Sequence, residues 1–320
     1  MSHYSHLTQN ERYQISALLS NNISISHIAR TLNRHRSTIY REIKLNKGLR
    51  GYRPKQAHKK ASARKSNNQA KLTEFFWCYV EHLIQKYHSP EQINGQLTLL
   101  GWKDVASVEA IYLYIYKDKQ KQGALHTFLR CQKSYRKRNF KNNDRRGKLV
   151  NRASIQEREQ SVELRSNFGD FEGDTIVGKD HKGVLLTFVD RKSRLTKMKS
   201  LPNRKANLVA QTSIKLLKAW NISTITFDNG KEFAGHESIA ESLRASVYFA
   251  TPYHSWERGT NENTNGLIRQ FFPKDMPLDN LDEHEVQRVE DLLNNRPRKV
   301  LGYLTPLEFL ANDHSVALQS

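Results

Sequence analysis

The chain has 320 residues, with 52 Lys plus Arg against 32 Asp plus Glu, a formal net charge of +20 and a mean hydropathy of −0.74. That length suits two or three domains at about 100–200 residues each, and no apolar run approaches the roughly 20 residues of a membrane span. Residues 1–14 lack the apolar core of a secretion signal, so a cytoplasmic chain is expected. Its two cysteines, Cys78 and Cys131, cannot by themselves build a disulfide framework or a four-ligand zinc site.

Charge placement says more than its total. Residues 1–150 carry 29 basic and 9 acidic side chains, whereas residues 151–320 carry 23 of each. A basic half joined to a neutral half is what a nucleic-acid grip attached to a separately folded unit would show. A chain that was merely basic for solubility would not segregate its charge so completely.

In chain order, residues 7–46 read as three short helices. Thr8 and Glu11 form a capping-box pattern, and Ile15, Leu18 and Leu19 then recur at helical spacing. After Asn21-Asn22 a second helix is expected with Ser26 as its N-cap, and after Asn33-Arg34-His35-Arg36 a third runs from Ser37 to Lys44. Ile28, Leu32, Ile39 and Ile43 would close a small core. Two helices, a tight turn and a third helix that opens on Arg, Ser and Thr describe a helix-turn-helix. Arg34, Arg36, Ser37, Thr38 and Arg41 are the expected DNA contacts, since short polar groups and arginines there reach base edges and phosphates. An ordinary three-helix bundle is the bland alternative.

Residues 47–75 are rich in Lys, Arg and small side chains and read as a basic linker able to follow a phosphate backbone. Residues 76–118 repeat the earlier layout: an apolar helix through Trp77, Val80 and Ile84, a helix start at Ser89-Pro90-Glu91-Gln92, and a third helix from Ser107. A second helix-turn-helix is expected there, with a dimerisation bundle as the alternative. Basic linker returns over 119–150, including Lys133–Arg138 and Lys141–Lys148.

From Asn167 the pattern changes. Residues 169–177, 183–189 and 194–200 alternate as strands separated by turn residues. A helix through Ala206, Val209, Ile214 and Leu217 follows, then strands at 222–227 and 246–250 and a helix over 258–271. The expected unit is α/β with a mixed five-stranded sheet. Asp174 falls within its first strand, Asp228 at the end of its fourth and Glu262 inside its last helix. Each alone has an ordinary explanation as a solvated strand residue, a turn former or a helix charge. Together they can converge where sheet meets helix, and carboxylates that share a site repel unless a cation neutralises them. Oxygen ligands and an incompletely filled shell suit Mg²⁺ or Mn²⁺, and two such ions suit in-line displacement at phosphorus. Arg269, seven residues after Glu262, lies on nearly the same helical face. Asp170 and Glu172 share a strand face with Asp174, so the first acid is the least determined of the three.

Phe171-Glu-Gly-Asp174-Thr-Ile-Val-Gly, Thr226-Phe-Asp228-Asn-Gly-Lys-Glu-Phe-Ala and Pro252-Tyr-His-Ser-Trp-Glu-Arg-Gly-Thr-Asn-Glu262-Asn-Thr-Asn-Gly-Leu-Ile-Arg269 resemble the core of a DDE transposase of the IS-thirty family of bacterial insertion sequences. The 33 residues between Asp228 and Glu262 agree with that family's spacing. The runs at 36–43, 89–93, 295–297 and 301–308 extend the resemblance over nearly the whole chain, and Phe171 stands where the family carries Trp. The resemblance implies a ribonuclease-H-like catalytic domain that cleaves and rejoins DNA strands without a covalent protein intermediate. Asp174, Asp228 and Glu262 would hold two Mg²⁺ or Mn²⁺ ions, and Arg269, His254 and Lys231 would position DNA phosphates. The implied organisation is a helix-turn-helix at 1–48, a linker at 49–75, a second helical DNA-binding module at 76–118, a linker at 119–160 and the catalytic domain at 161–320. The implied partners are double-stranded terminal repeats and target DNA, bound by a homodimer or higher oligomer in the bacterial cytoplasm. The competing readings are a non-catalytic DNA-binding regulator with a relic ribonuclease-H-like domain, and a general nuclease or RNA–DNA hybrid hydrolase.

Overall fold

The computed structural model describes residues 6–67, 72–130, 151–252 and 254–313, so the basic run expected at 133–148 lies outside the described residues. The chain divides into two compact units, Met1–Trp77 and Cys78–Ser320.

The first unit opens with α1 (Gln9–Ser20), α2 (Ile25–Thr31) and α3 (Arg36–Asn46). Both halves of the Thr8–Glu11 capping box form: the Glu11 amide donates to Thr8 Oγ1 at 3.2 Å and the Thr8 amide to Glu11 Oε2 at 2.6 Å. Ile15, Ile28 and Ile39 are fully buried, and Leu18, Leu32 and Ile43 pack around them. The N-cap of α2 is Ser24 rather than Ser26, because Asn22 turns the chain with φ +57° and brings the Ser24 hydroxyl to the His27 amide. Arg12 and Glu42 form a buried bidentate pair (2.8 and 3.1 Å), and Tyr52 adds a hydroxyl to the same carboxylate at 3.0 Å.

The stretch read as a linker is largely α4 (Pro54–Asn67). Pro54 starts it, and its Ala, Lys, Gln and Arg content favours helix although only Ala57 is buried in it as an apolar residue. Its basic side chains complete the end of α3: Lys60 donates to the Lys47 carbonyl at 3.3 Å and Arg64 to the Leu45 carbonyl at 3.2 Å. The last carbonyls of a helix lack intrahelical donors and attract cations. Hydrophobic periodicity was too weak to reveal this helix.

The remaining helices begin with α5 (Glu74–Gln85), α6 (Pro90–Leu99) and α7 (Val108–Gln120). In the second unit, α6 is bound to the chain's far end: Gln92 Nε2 donates to the Pro297 carbonyl at 2.7 Å, and Arg296 Nε donates to Gln92 Oε1 at 3.0 Å. Tyr87 lies edge-on between Phe128 and Phe271. Residues 78–118 are thus part of the same compact unit as the sheet.

That sheet has six strands, not five. They are β1 (Ala153–Ser154), then, after α8 (Gln160–Glu163), β2 (Asp170–Val177), β3 (Val184–Asp190) and β4 (Thr196–Leu201), and, after α9 (Ala206–Leu217), β5 (Thr224–Phe227). The last strand, β6 (Ser246–Phe249), follows α10 (His236–Leu243). The order is β1-β6-β5-β2-β3-β4, antiparallel from β2 to β4 and parallel on the other side. The unexpected strand is two residues long, too short to show alternation. Along β3, Val184, Leu186 and Phe188 join the core under α9 and α10, while Leu185 joins the opposite core under α11 (Gly259–Ile268) and α12 (Glu283–Asn294). The chain's last described helix is α13 (Pro306–Asn312). The side-chain period of two therefore makes a three-layer α/β/α unit, and it puts Glu172, Asp174 and Ile176 on the α11 side.

Candidate active site

Strand geometry alone leaves three acids on one face of β2, and their partners separate them. Asp170 is 1% exposed and accepts from Thr224 Oγ1 at 2.7 Å. Glu172 is fully buried and accepts from Arg191 Nη1 at 2.7 Å and from the Asn261 amide at 2.9 Å. Asp174 is the one that reaches a partly open position, with its side chain 20% exposed.

Asp174 is held from three directions. The Thr175 amide donates to Oδ1 at 2.9 Å, Asn265 Nδ2 donates to Oδ2 at 2.7 Å, and Arg258 Nη2 lies 3.0 Å from Oδ2. Burial pushes its carboxyl above the usual range; Arg258 opposes that, and the charge of Asp228 adds to it. Asp228 follows β5, accepts from the Gly230 amide at 2.9 Å and lies 3.9 Å from Arg258 Nη1. The turn folds the Glu232 carboxyl back over Gly230, where an added Cβ would come within 2.6 Å of it. Glu232 is thereby set beside the site and accepts from Thr175 Oγ1 at 2.9 Å.

The two aspartates therefore share one guanidinium. Glu262, in the first turn of α11, is exposed and is not joined to them; among the described residues no three His, Cys, Asp or Glu side chains form a metal-holding cluster. Glu262 instead lines a cavity of about 930 Å³ together with Asn265, Arg269, Lys274 and Arg130. The donor set still fits a hard cation. Asp174 and Asp228 offer hard carboxylate oxygens, and the Arg258 guanidinium, its side chain 10% exposed, supplies the positive charge between them.

The basic residues expected at DNA divide. Arg36 and Arg41 are exposed on α3, with Ser37 and Thr38 partly so beside them. His35 caps α3 by accepting from the Ser37 amide. Arg34 is instead bound to Glu11 at 2.7 Å. Burial alone would raise the Glu11 carboxyl, but hydrogen bonds from Arg34 and Thr8 outweigh it and hold the group below its usual range. Arg269 gives Nη2 to the Val177 carbonyl at 2.8 Å and Nη1 to the Phe272 carbonyl at 3.3 Å, tying the end of α11 to the end of β2. Lys231 is exposed in the turn after Asp228, and His254 precedes the turn that carries Arg258. Sequence reasoning missed Arg258 and Asn265 as partners of Asp174. Their signal was spacing, since they stand four residues before and three residues after Glu262.

A six-stranded mixed sheet that carries Asp174 within β2 and Asp228 just past its parallel neighbour β5, in a chain that opens on three short helices, defines a DNA-binding module joined to an α/β unit with paired aspartates. Residues 3–46 match the family described as "Helix-turn-helix domain". Over 98% of its length the chain is 45% identical to the transposase for insertion sequence element IS4351 of Bacteroides fragilis, covering 99% of that protein. It is 35% identical to transposase InsI for insertion sequence element IS30A of Escherichia coli (98% of this chain, 85% of that one). It is 33% identical to the transposase for insertion sequence element IS1086 of Cupriavidus metallidurans (96% and 95%). A crystal structure of the catalytic core domain of BIV integrase is similar at a TM-score of 0.37 and 20% identity, over 46% of this chain and 97% of that one. The chain belongs to the IS30 family of insertion-sequence transposases, and it is a DDE transposase rather than a DNA-binding regulator.

Proposed function

We propose that this transposase grips the terminal inverted repeats of its element through α3 and cuts and joins strands at a divalent-metal centre formed by Asp174, Asp228 and Glu262. The observation that carries the metal reading is the pair of aspartates from β2 and β5 sharing a buried cationic group. Bound Mg²⁺ or Mn²⁺ would activate the attacking oxygen and neutralise the leaving one. The chain's own residues do the rest. Thr175 and Asn265 orient the Asp174 carboxylate, the amide of one holding Oδ1 and the side chain of the other holding Oδ2. Arg130, Arg269 and Lys274 give the cavity beside Glu262 a positive wall suited to backbone phosphates, with Lys231 at the Asp228 turn as a further contact. Water first attacks the phosphodiester at the element's end, and the bond to the 3′ oxygen breaks to leave a 3′-OH. That hydroxyl then attacks a phosphodiester of the target, and a new strand joint forms as the target's own 3′ oxygen leaves.

Arg36 and Arg41 are the base- and phosphate-directed side chains of α3, and Ser37 and Thr38 lie between them at its start. Pairing two ends requires at least a dimer of the chain. The test is a labelled end duplex incubated with protein and Mg²⁺. Asp228→Asn and Glu262→Gln should abolish nicking and leave duplex affinity nearly unchanged. Retained nicking in either variant, or loss of binding in both, would remove those acids from the chemistry.

A further inference from the structure

Behind the three acids lies a second set of charged side chains that the chemistry does not consume. Arg158 Nη1 donates to Thr226 Oγ1 at 2.9 Å, two residues before Asp228, and Arg158 Nη2 bonds Glu163. Glu163 also pairs with Arg191 at 3.2 Å. Arg191, 2% exposed, donates to the Val162 carbonyl and to Glu172. Glu172 stands two residues before Asp174, and its second oxygen accepts from the amide of Asn261, immediately before Glu262. The chain of contacts thus touches each acid-bearing element within two residues of its acid. Arg194 adds a second tie to the same helix start, donating to Thr260 Oγ1 at 2.7 Å.

We propose that Glu172 is a positioning residue that fixes the start of α11, and with it Glu262, against the strand that carries Asp174, with Arg191, Glu163 and Arg158 extending the same tie to the Asp228 strand. Glu172 itself is no metal ligand, because both oxygens are used and the side chain is fully buried. The first amides of a helix have no intrahelical acceptor, so a carboxylate there both satisfies a donor and sets where the helix begins. This inference rests on the metal reading of Asp174, Asp228 and Glu262.

The test measures Mn²⁺ binding to the full chain without DNA, by electron paramagnetic resonance titration, alongside thermal stability. The variants are Glu172→Gln and the double variant Glu172→Met/Arg191→Met, since removing both buried partners together can leave stability nearly unchanged. Ile239→Ala, in the opposite core, supplies a control that lowers stability only. The expected result is Mn²⁺ affinity weaker by ~10–100-fold in both Glu172 variants, as for other groups that orient metal ligands, with no change in Ile239→Ala. Wild-type Mn²⁺ affinity in the double variant, with affinity lost in Asp174→Asn, would overturn the positioning role and leave the metal reading standing. Wild-type affinity in Asp174→Asn would overturn both. Failure of both Glu172 variants to fold would make Glu172 a stability residue and also overturn the inference.

Discussion

Replacing Arg12 by Met isolates the ion pair under the recognition helix. Arg12 is 6% exposed and Glu42 8% exposed, and Glu42 neighbours Arg41 on α3. The substitution keeps the methylene packing but leaves a buried carboxylate with the Tyr52 hydroxyl as its remaining partner among the described residues, and it frees the Leu7 carbonyl from its 2.6 Å bond. Breaking one side of such a pair costs ~3–5 kcal/mol. For a domain of this size each kcal/mol shifts the melting temperature by roughly 4–8 °C, so the first unit should melt more than about 10 °C early, separately from the second. Differential scanning calorimetry of the full chain should show two transitions in place of a shared or closely spaced pair, and end-duplex affinity should fall with the first. The double variant Arg12→Met/Glu42→Leu should recover to within about 1–2 kcal/mol of wild type, because no charge is then left unpaired. A single variant that melts like wild type would mean that the Arg12–Glu42 pair does not hold the first unit together.

Arg36→Ala and Arg41→Ala should each weaken end-duplex binding by ~1–3 kcal/mol in a gel-shift titration, and wild-type binding should fall steeply between 50 and 200 mM salt, on the order of 10³-fold; unchanged affinity would take α3 out of recognition. His88 is kept neutral in the fold, since burial, with Arg296 nearby, pulls it down to about 3, while the unfolded imidazole takes up its proton near the ordinary ~6.5. The unfolded state therefore binds more protons between those values, so this stability is present above pH ~6.5 and falls, by up to ~1.4 kcal/mol per unit, as pH drops towards 3. Urea midpoints of wild type and His88→Leu at several pH values would show the variant's shallower slope, and parallel slopes would contradict it. Gly173 faces the aromatic core beside Asp174, where an added Cβ would come within 2.3 Å of Phe227 and 2.8 Å of Phe188. Gly173→Ala should cost ~1–3 kcal/mol in the same denaturation assay, and a neutral outcome would show the core looser than described.

The sequence showed elements that announce themselves through period or cap. Alternation made β2 to β6 readable within about two residues, and the Thr8 and Ser89 caps formed as the local rules require, whereas the cap of α2 is Ser24 and not Ser26. What stayed hidden lacked a local signal. The α4 helix buries almost nothing apolar of its own, and β1 is only two residues long. Partner identity was also out of reach. Period two placed Asp170, Glu172 and Asp174 on one face, but only the long-range bonds of Asp170 to Thr224 and of Glu172 to Arg191 separate two buried acids from the partly open Asp174. Arg34 and Arg269 were legible as cations and not as groups bound to Glu11 and to the Val177 carbonyl, because those partners lie 23 and 92 residues away. The ordered aspartates and glutamate were visible from strand and helix context, whereas Arg258 became visible only as the group the two aspartates share.

Two aspartates and a glutamate must gather around common ions for this chain to cut and join DNA as proposed. Crystals of the full chain bound to an end duplex and soaked in Mn²⁺ would decide this through anomalous scattering. The expected result is manganese held by Asp174, Asp228 and Glu262, with the Arg258 guanidinium displaced from between the aspartates. Manganese bound elsewhere, or Glu262 left outside its coordination while the DNA end is engaged, would contradict the account.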